Sequence, residues 1–212
     1  MITKRNRTSS FSVVNSSVVL ATRNEDKIKE IRQLLSGVER NLMTLHEFPG
    51  APEVVEDGST LEENAVKKAT EIAIYTGLTA IADDTGLEVD FLNGAPGVFS
   101  GRFSGEHATY GDNIEKLLRE LQGVSLEERS ARFRCVVAVV DGDHTKTMEG
   151  ACEGTILEEP RGDFGFGYDP VFYVPEYKCT FAEMDLALKN RVSHRARAFA
   201  ALRELFETAE MG

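Results

Sequence analysis

Residues 80–88 have the sequence Ala-Ile-Ala-Asp-Asp-Thr-Gly-Leu-Glu. The short apolar run predicts a buried β-strand that ends at two adjacent carboxylates, Asp83 and Asp84. Open α/β sheets usually bind ligands at the carboxyl ends of their strands. Mg²⁺ usually takes one or two carboxylates together with substrate phosphates. The segment therefore indicates a metal-assisted phosphate site, although Asp and Gly are also typical of a simple polar turn.

Composition limits the classes of protein to consider. The chain has 212 residues, 42% of them hydrophobic, which suits one domain, expected to span residues 18–212. The formal net charge of −11 disfavours nucleic-acid binding, because phosphate contacts need a basic surface. Three cysteines are too few for a disulfide framework, so we expect a reducing, cytoplasmic location. No apolar stretch is long enough to span a membrane, so no membrane partner is expected.

Residues 1–17 differ in composition from the rest of the chain. They contain five serines and three basic residues, and they contain no acidic residue. A transit peptide has this composition, but the stretch is short and only weakly amphipathic. We expect a disordered N-terminal extension, or an early start codon.

A polar loop follows the first predicted strand, residues 18–21. Asn24 is a good N-cap for the helix after it, and a strand, a loop and a helix N-terminus in this order can present backbone N–H groups to a phosphate. An ordinary capped turn has the same pattern, and Lys27 is what favours a phosphate site here. The loop consists of Thr22, Arg23, Asn24, Glu25, Asp26 and Lys27.

A second helix is predicted from a capping box, Thr60 with Glu63, to a stop at Gly77. At about 100° per residue, Lys68 falls within the apolar stripe of this helix. An unpaired ammonium is costly on an inward face. Lys68 therefore either extends to the surface or reaches into a polar cleft.

Two further segments carry candidate binding groups. Glycines alternate with aromatic residues in residues 164–168, which predicts a close-approaching backbone and rings that stack on a flat base, rather than a plain core strand. His194 and Arg195 lie in the first turn of the last predicted helix, where cations oppose the helix dipole. Such conflicts with local preference tend to mark functional sites.

The remaining pattern predicts an alternating strand over residues 87–91 and an irregular loop over residues 93–105. It also predicts a helix over 109–121, a hairpin whose first strand is 133–140, a strand over 171–174, a short capped helix at 180–183, and a last helix capped by Ser193.

Taken together, these segments resemble the inosine triphosphate pyrophosphatase family, the non-canonical purine nucleoside triphosphate pyrophosphatases. The resemblance covers residues 18 to about 205, and it rests on seven motifs in order. They are ATRNEDK (21–27), EDGSTLEENAVKKA (56–69), IADDTGLEVD (81–90), GAPGVFSGRFSG (94–105), FGYDPVF (166–172), TFAEM (180–184) and Lys189 followed by Ser193-His194-Arg195.

The resemblance implies a mixed α/β fold, in which a central sheet flanked by helices forms two lobes around a cleft. It implies a homodimer that uses Mg²⁺ to hydrolyse (d)ITP and (d)XTP to the monophosphate and pyrophosphate.

By motif, Asp84 would be the general base and a metal ligand, Glu56 the other metal-linked carboxylate, and Asp83 their support. Lys68 and Lys27 would neutralise the triphosphate, which residues 22–27 hold, and Thr85 would contact substrate. The base would be held by Phe166, Gly167, Tyr168, Asp169, Lys189, His194 and Arg195.

Three alternatives stay open at this point. A pyrophosphatase for canonical or modified pyrimidine nucleotides would share most of these motifs. A nucleotide sensor without hydrolysis is disfavoured by Lys68 together with Asp84, since a binder needs no base beside a metal. A nucleic-acid-binding module is disfavoured by charge.

Overall fold

The computed structural model describes residues 16–210, with side chains for residues 16–208. The predicted extension, residues 1–17, lies outside the described residues except for Ser16 and Ser17, and Ser17 begins the first strand. None of the described helices combines the length and the apolarity needed to cross a bilayer.

Over residues 16–210, one mixed sheet contains eight strands. They run in the order β2-β1-β3-β5-β6-β7-β8, and β4 pairs with β3. The pairs β1–β2 and β1–β3 are parallel, whereas every other pair is antiparallel. The strands are β1 (Ser17–Leu20), β2 (Asn41–Thr44), β3 (Thr79–Val89), β4 (Pro96–Gly97), β5 (Ser130–Asp141), β6 (His144–Ile156), β7 (Phe172–Val174) and β8 (Cys179–Thr180).

Four of the five α-helices in the described region begin at predicted caps, whereas the helix that follows Asp185 was not predicted. Asn24, Thr60 and Thr109 each accept a hydrogen bond from the backbone N–H three residues later. The second helix ends at Gly77, whose φ of 68° is the left-handed conformation that glycine adopts readily. The helices are α1 (Glu25–Leu34), α2 (Leu61–Thr76), α3 (Tyr110–Glu120), α4 (Leu186–Val192) and α5 (His194–Glu210), and the short capped helix is a 3₁₀ turn, Phe181–Glu183.

Helices cover both faces of the sheet, and the buried apolar residues form separate cores in two lobes. We call the lobe that contains β1, α1, α2 and α5 the upper lobe, and the lobe that contains α3, α4 and β7 the lower lobe. In the upper lobe, α1 and α5 pack on one face through residues such as Ile31 and Phe199, and α2 packs on the other through Ala65 and Ile72. The lower lobe has its own core, to which α3, α4, β7 and the far ends of β5 and β6 contribute. The expected mixed α/β fold with two lobes is confirmed.

The prediction that a strand ends at Asp83 and Asp84 is wrong, because both residues lie in the middle of β3. Parallel pairing with β1 stops at Ile81, and β3 continues along β5 with Asp83 opposite Val137 and Asp84 opposite Val136. The strand continues because β5 supplies an antiparallel partner from Ala80 to Val89. The acids still lie where β1 ends, so the expected position at the edge of the parallel part is correct.

Gly150 in β6 sets the distance between the sheet and α5. A Cβ atom at this position would collide with the backbone carbonyl of His194 and lie 2.5 Å from the amide nitrogen of Ala198. Both atoms belong to the helix backbone, which cannot rotate away as a side chain can. The absence of a side chain at Gly150 therefore lets the first turn of α5 approach the sheet.

We expect Gly150→Ala to lower thermal stability by about 1–3 kcal/mol, because overpacking displaces α5. Gly111→Ala is the matched control, since the nearest atom to an added Cβ there is a side-chain oxygen at 3.7 Å. Thermal unfolding of both variants checks this, and equal midpoints for Gly150→Ala and wild type would contradict it.

Candidate active site

The alternation of β3 places Asp83 and Asp84 on opposite faces of the sheet. Both side chains are buried, with 2% and 5% of their residue surface exposed. Asp83 lies on the face covered by α1 and α5, where it meets Arg195, and Asp84 lies on the face covered by α2, where it meets Lys68. The two adjacent acids therefore belong to different groups of side chains.

Asp84 is held between two residues of α2. The Nζ atom of Lys68 lies 3.3 Å from Asp84 Oδ1, and Asn64 Nδ2 donates to Asp84 Oδ2 at 3.1 Å. Burial raises the pKa of Asp84, and the nearby Glu56 carboxylate raises it further, while Lys68 and Lys27 oppose the increase. A buried carboxylate with a raised pKa is the state expected of a general base working near neutral pH.

Lys68 reaches into the polar cleft, which decides between its two predicted positions. Its ammonium donates to Glu56 Oε1 at 2.9 Å and to the carbonyl oxygen of Asp83 at 2.8 Å, in addition to its contact with Asp84. Burial would lower the pKa of Lys68, but Asp84 and Glu56 outweigh burial and raise it. The side chain of Lys68 is therefore a charged ammonium that lies between the carboxylates of Glu56 and Asp84.

Asp83 is surrounded by cations on the other face. Its Oδ2 atom lies 3.1 Å from both Lys27 Nζ and Arg195 Nη2, and it accepts a hydrogen bond from the Thr85 hydroxyl. Burial would raise the pKa of Asp83, but Lys27 and Arg195 hold it far below its usual range. Asp83 is thus a permanent anion that fixes two cations, and Arg195 also donates to Thr85 Oγ1 at 3.1 Å.

The same chain of charges continues through α1 to the lower lobe. Glu30 of α1 is 4% exposed and binds Arg195 Nη1 at 2.5 Å and Lys189 Nζ at 2.7 Å. Lys189 also binds Asp169 at 2.5 Å. Burial raises the pKa of Asp169 although Lys189 opposes it.

The aromatic segment, residues 164–168, contains the exposed Phe164, the half-buried Phe166 and the buried Tyr168. Phe166 is half-buried, and its ring centre lies 4.8 Å from Lys189 Nζ and 5.6 Å from the Arg195 guanidinium carbon. Tyr168 is only 4% exposed and donates its hydroxyl to Ser100 O, so its ring supports the lower lobe. Gly165 has a φ of 74° and leaves no room for a Cβ beside Asp169.

His194 faces the same cleft and has free hydrogen-bonding capacity. Its ring is stacked on Phe133 with centres 4.6 Å apart. Neither ring nitrogen has a hydrogen-bond partner within the described residues. Burial lowers the pKa of His194, and the Arg195 and Lys189 cations lower it further, so the ring is neutral at pH 7. A neutral imidazole offers one donor and one acceptor to a ligand.

Two adjacent cavities bring most of the predicted site residues together. One, which we call the main chamber, is lined by Lys27, Glu56, Asp84, Thr85, Phe166, Gly167, Tyr168, Asp169, Lys189, His194 and Arg195, among others. The other, the side recess, is lined by Thr22, Arg23, Asn24, Lys27, Glu56 and Lys68, among others. Lys27 and Glu56 line both and mark their junction.

Two residues of the predicted phosphate loop lie outside both cavities. The exposed side chain of Glu25 pairs with His46 at 2.6 Å, and Asp26 is exposed in the first turn of α1. Arg23 donates to the carbonyl oxygen of Ala51 at 2.9 Å. Substrate-binding roles for Glu25 and Asp26 remain predictions.

Sequence reasoning missed three residues of the site. Asn64 lies one helical turn before Lys68, so the same periodicity could have found it. Glu30 lies one turn before Leu34, at the margin of the apolar stripe of α1, which is a weaker signal. Arg102 lines the main chamber from the irregular loop, where no periodicity exists to reveal it.

Comparisons with known proteins agree on one family. A profile of the Ham1 family matches residues 18–205. The chain is 52% identical to the dITP/XTP pyrophosphatase of Desulforamulus reducens over 89% of this chain and 94% of that protein. It is 45% identical to that of Bacillus subtilis over 92% and 99%. A HAM1 protein structure from Coxiella burnetii superposes with a TM-score of 0.83 at 42% identity, covering 91% of this chain and 98% of the other.

We expect Glu30→Gln to cost about 3 kcal/mol of stability at pH 7, because Lys189 and Arg195 lose a buried carboxylate. Burial would raise the pKa of Glu30, but Arg195 and Lys189 hold it below its ordinary value. The contribution of Glu30 is therefore complete at neutral pH and is lost as the pH falls below about 4.

Denaturant unfolding at pH 7, 5 and 3.5 checks this: the difference between wild type and Glu30→Gln should shrink at the lowest pH. Glu25→Gln, on the exposed side of the same helix, should parallel wild type at every pH. A constant difference between wild type and Glu30→Gln across the three values would count against the assignment.

Proposed function

The chain belongs to the Ham1 family, and on that premise we propose that it hydrolyses non-canonical purine nucleoside triphosphates, (d)ITP and (d)XTP, to the monophosphate and pyrophosphate. Such an activity would cleanse the nucleotide pool. The observation that carries the proposal is the continuity of the main chamber. A carboxylate–ammonium group lies at one end of it, with Asp84 and Glu56, and a group suited to a base, with Phe166 and His194, lies at the other.

The carboxylate end suits hydrolysis between the α and β phosphates. Asp84 accepts a proton from the attacking water as the bond between the two phosphates breaks. Asn64 fixes the Asp84 carboxylate in place. Lys68 and Lys27 offset the negative charge that develops on the departing pyrophosphate. Asp83 contributes by holding Lys27 at the junction of the two cavities.

The residues present fit a magnesium ion that takes some of its ligands from the substrate phosphates. Within the described residues, no group of three or more His, Cys, Asp or Glu side chains is placed to hold a metal. Glu56 and Asp84, however, converge on one ammonium, at 2.9 and 3.3 Å from Lys68 Nζ. Mg²⁺ needs only one or two carboxylates when phosphates and water complete its shell, and it supplies Lewis-acid and water-activating chemistry. We therefore propose Glu56 and Asp84 as its protein ligands.

The base end suits a purine with an oxygen at position 6. Lys189 and Arg195 already make several bonds to carboxylates, which fixes them beside Phe166. Neither ring nitrogen of His194 has a partner among the described residues, so His194 is the better candidate to donate to the oxygen. Adenine, which has an amine there, would leave that donor unpaired, and unpaired buried groups discriminate strongly. Phe166 supplies a ring face for stacking.

The oligomeric state and the location of the protein in the cell are further proposals. A homodimer follows from the resemblance alone. A cytoplasmic location is supported by the three free cysteines, Cys135, Cys152 and Cys179, which a reducing compartment maintains.

We expect pyrophosphate release from ITP and XTP to exceed that from GTP and dTTP by about tenfold or more in kcat/KM. Guanine shares the 6-oxygen, so its rejection must come from contacts around position 2 of the ring. Chelation of Mg²⁺ should abolish pyrophosphate release. Steady-state assays across the four nucleotides, with and without EDTA, measure both. A preference for dTTP would favour the pyrimidine alternative, and ITP binding without any turnover would favour the sensor.

We expect Asp84→Asn to lower kcat by about 100-fold or more, because the amide cannot accept the proton of water. ITP should still raise the unfolding temperature of the variant, since the rest of the chamber is intact. Asp90→Asn is the control, as this exposed acid just after β3 pairs with Arg132 outside the chamber. Retention of more than about a tenth of the wild-type rate would remove Asp84 from the role of general base.

A further inference from the structure

Arg102 differs from the other cations of the main chamber. Lys27, Lys189 and Arg195 each contact at least one buried carboxylate. Arg102 also lines the chamber and is half-buried, but it has no carboxylate partner among the residues that the structure describes. Its guanidinium donates one hydrogen bond, at 2.8 Å, to the backbone carbonyl of Glu56 and lies 5.4 Å from the centre of the Phe99 ring.

A guanidinium that lines a cleft without a carboxylate partner can bind an anion from solution. The group has five N–H donors in a planar fork that matches the oxygens of a phosphate, and it cannot lose its charge. Its contact with Glu56 O uses one of the five. The remaining donors are available to a ligand at the end of the chamber where Glu56 lies.

The backbone beneath Arg102 is fixed before any ligand binds. Ser100 accepts a hydrogen bond from the amide of Leu87 in β3 and donates to Gly97 O. Asn113 of α3 donates to Gly101 O at 3.2 Å. The segment is therefore attached to both the sheet and α3, and Arg102 needs little reorganisation to bind.

The two cavities indicate which phosphate Arg102 reaches. Lys27 and Glu56 line both cavities, so the bond to be cleaved lies near their junction. Lys68 and Thr22 line the side recess but not the main chamber. Under the proposed function, the recess would therefore receive the outer phosphates. Arg102 lines the main chamber but not the recess, so it lies on the nucleoside side of the junction.

We propose that Arg102 binds the α-phosphate of the nucleotide and keeps it beside Glu56. The proposal rests on the proposed function, because the direction of the nucleotide in the chamber follows from it. Arg102 would stay in contact with the monophosphate product after pyrophosphate leaves.

Arg102→Gln tests this through the two products, of which inosine monophosphate has the α-phosphate and pyrophosphate does not. Calorimetric titration with Mg²⁺ present should show monophosphate binding weakened by about tenfold or more, the effect of losing a hydrogen bond to a charged group. Pyrophosphate binding should stay within about twofold of wild type. Arg119→Gln is the control, since Arg119 is an exposed residue of α3 whose ion pair, with Glu115 at 3.5 Å, lies away from the main chamber.

Monophosphate affinity equal to wild type in Arg102→Gln would overturn the inference. So would equal weakening of both products, because that would indicate a structural effect through Glu56. If the glutamine variant does not fold, Arg102→Met, which keeps an unbranched stem beside Phe99, is judged by the same two affinities. Wild-type protein that neither binds the monophosphate nor releases pyrophosphate from ITP would overturn the proposed function as well.

Discussion

A buried chain of alternating charges connects the parts of this protein. Each burial of a charge costs several kcal/mol unless opposite charges and hydrogen bonds compensate. Compensation here requires α1, β3, α4, α5 and the loop before β7 to be in place together. The chain runs Asp169, Lys189, Glu30, Arg195, Asp83 and Lys27. It crosses from the lower lobe to the upper lobe. Four of its members, Lys27, Asp169, Lys189 and Arg195, line the main chamber, so the geometry of the chamber depends on it.

The pleat of β3 divides the work between two neighbouring acids. Asp83 is held by cations on the α1 and α5 side and remains ionised, so it serves as a fixed support. Asp84 faces α2, where burial and Glu56 raise its pKa. One strand therefore presents a structural anion and a candidate proton acceptor at consecutive positions. The difference arises from the side of the sheet on which each side chain lies, not from the residue type.

The position of His194 and Arg195 at the start of α5 also has a physical explanation. Cations in a first helical turn oppose the helix dipole, a conflict of up to about 1 kcal/mol. Glu30 and Asp83 neutralise Arg195, and His194 remains uncharged, so little of that conflict persists in the folded state. Gly150 then lets this turn approach the sheet, which places both side chains at the chamber.

The sequence by itself determined where four of the five described α-helices begin and several of their inward faces, but it did not predict β2 or α4. Caps at Asn24 and Thr60, the stop at Gly77 and the position of Lys68 all follow from spacings of three to four residues, which a helix converts directly into a shared face. Only the tertiary structure decided that β3 continues past its acids, and that Glu30 joins Arg195, a residue 165 positions away. Contacts at such separations depend on how the whole chain packs, and local periodicity contains no information about them.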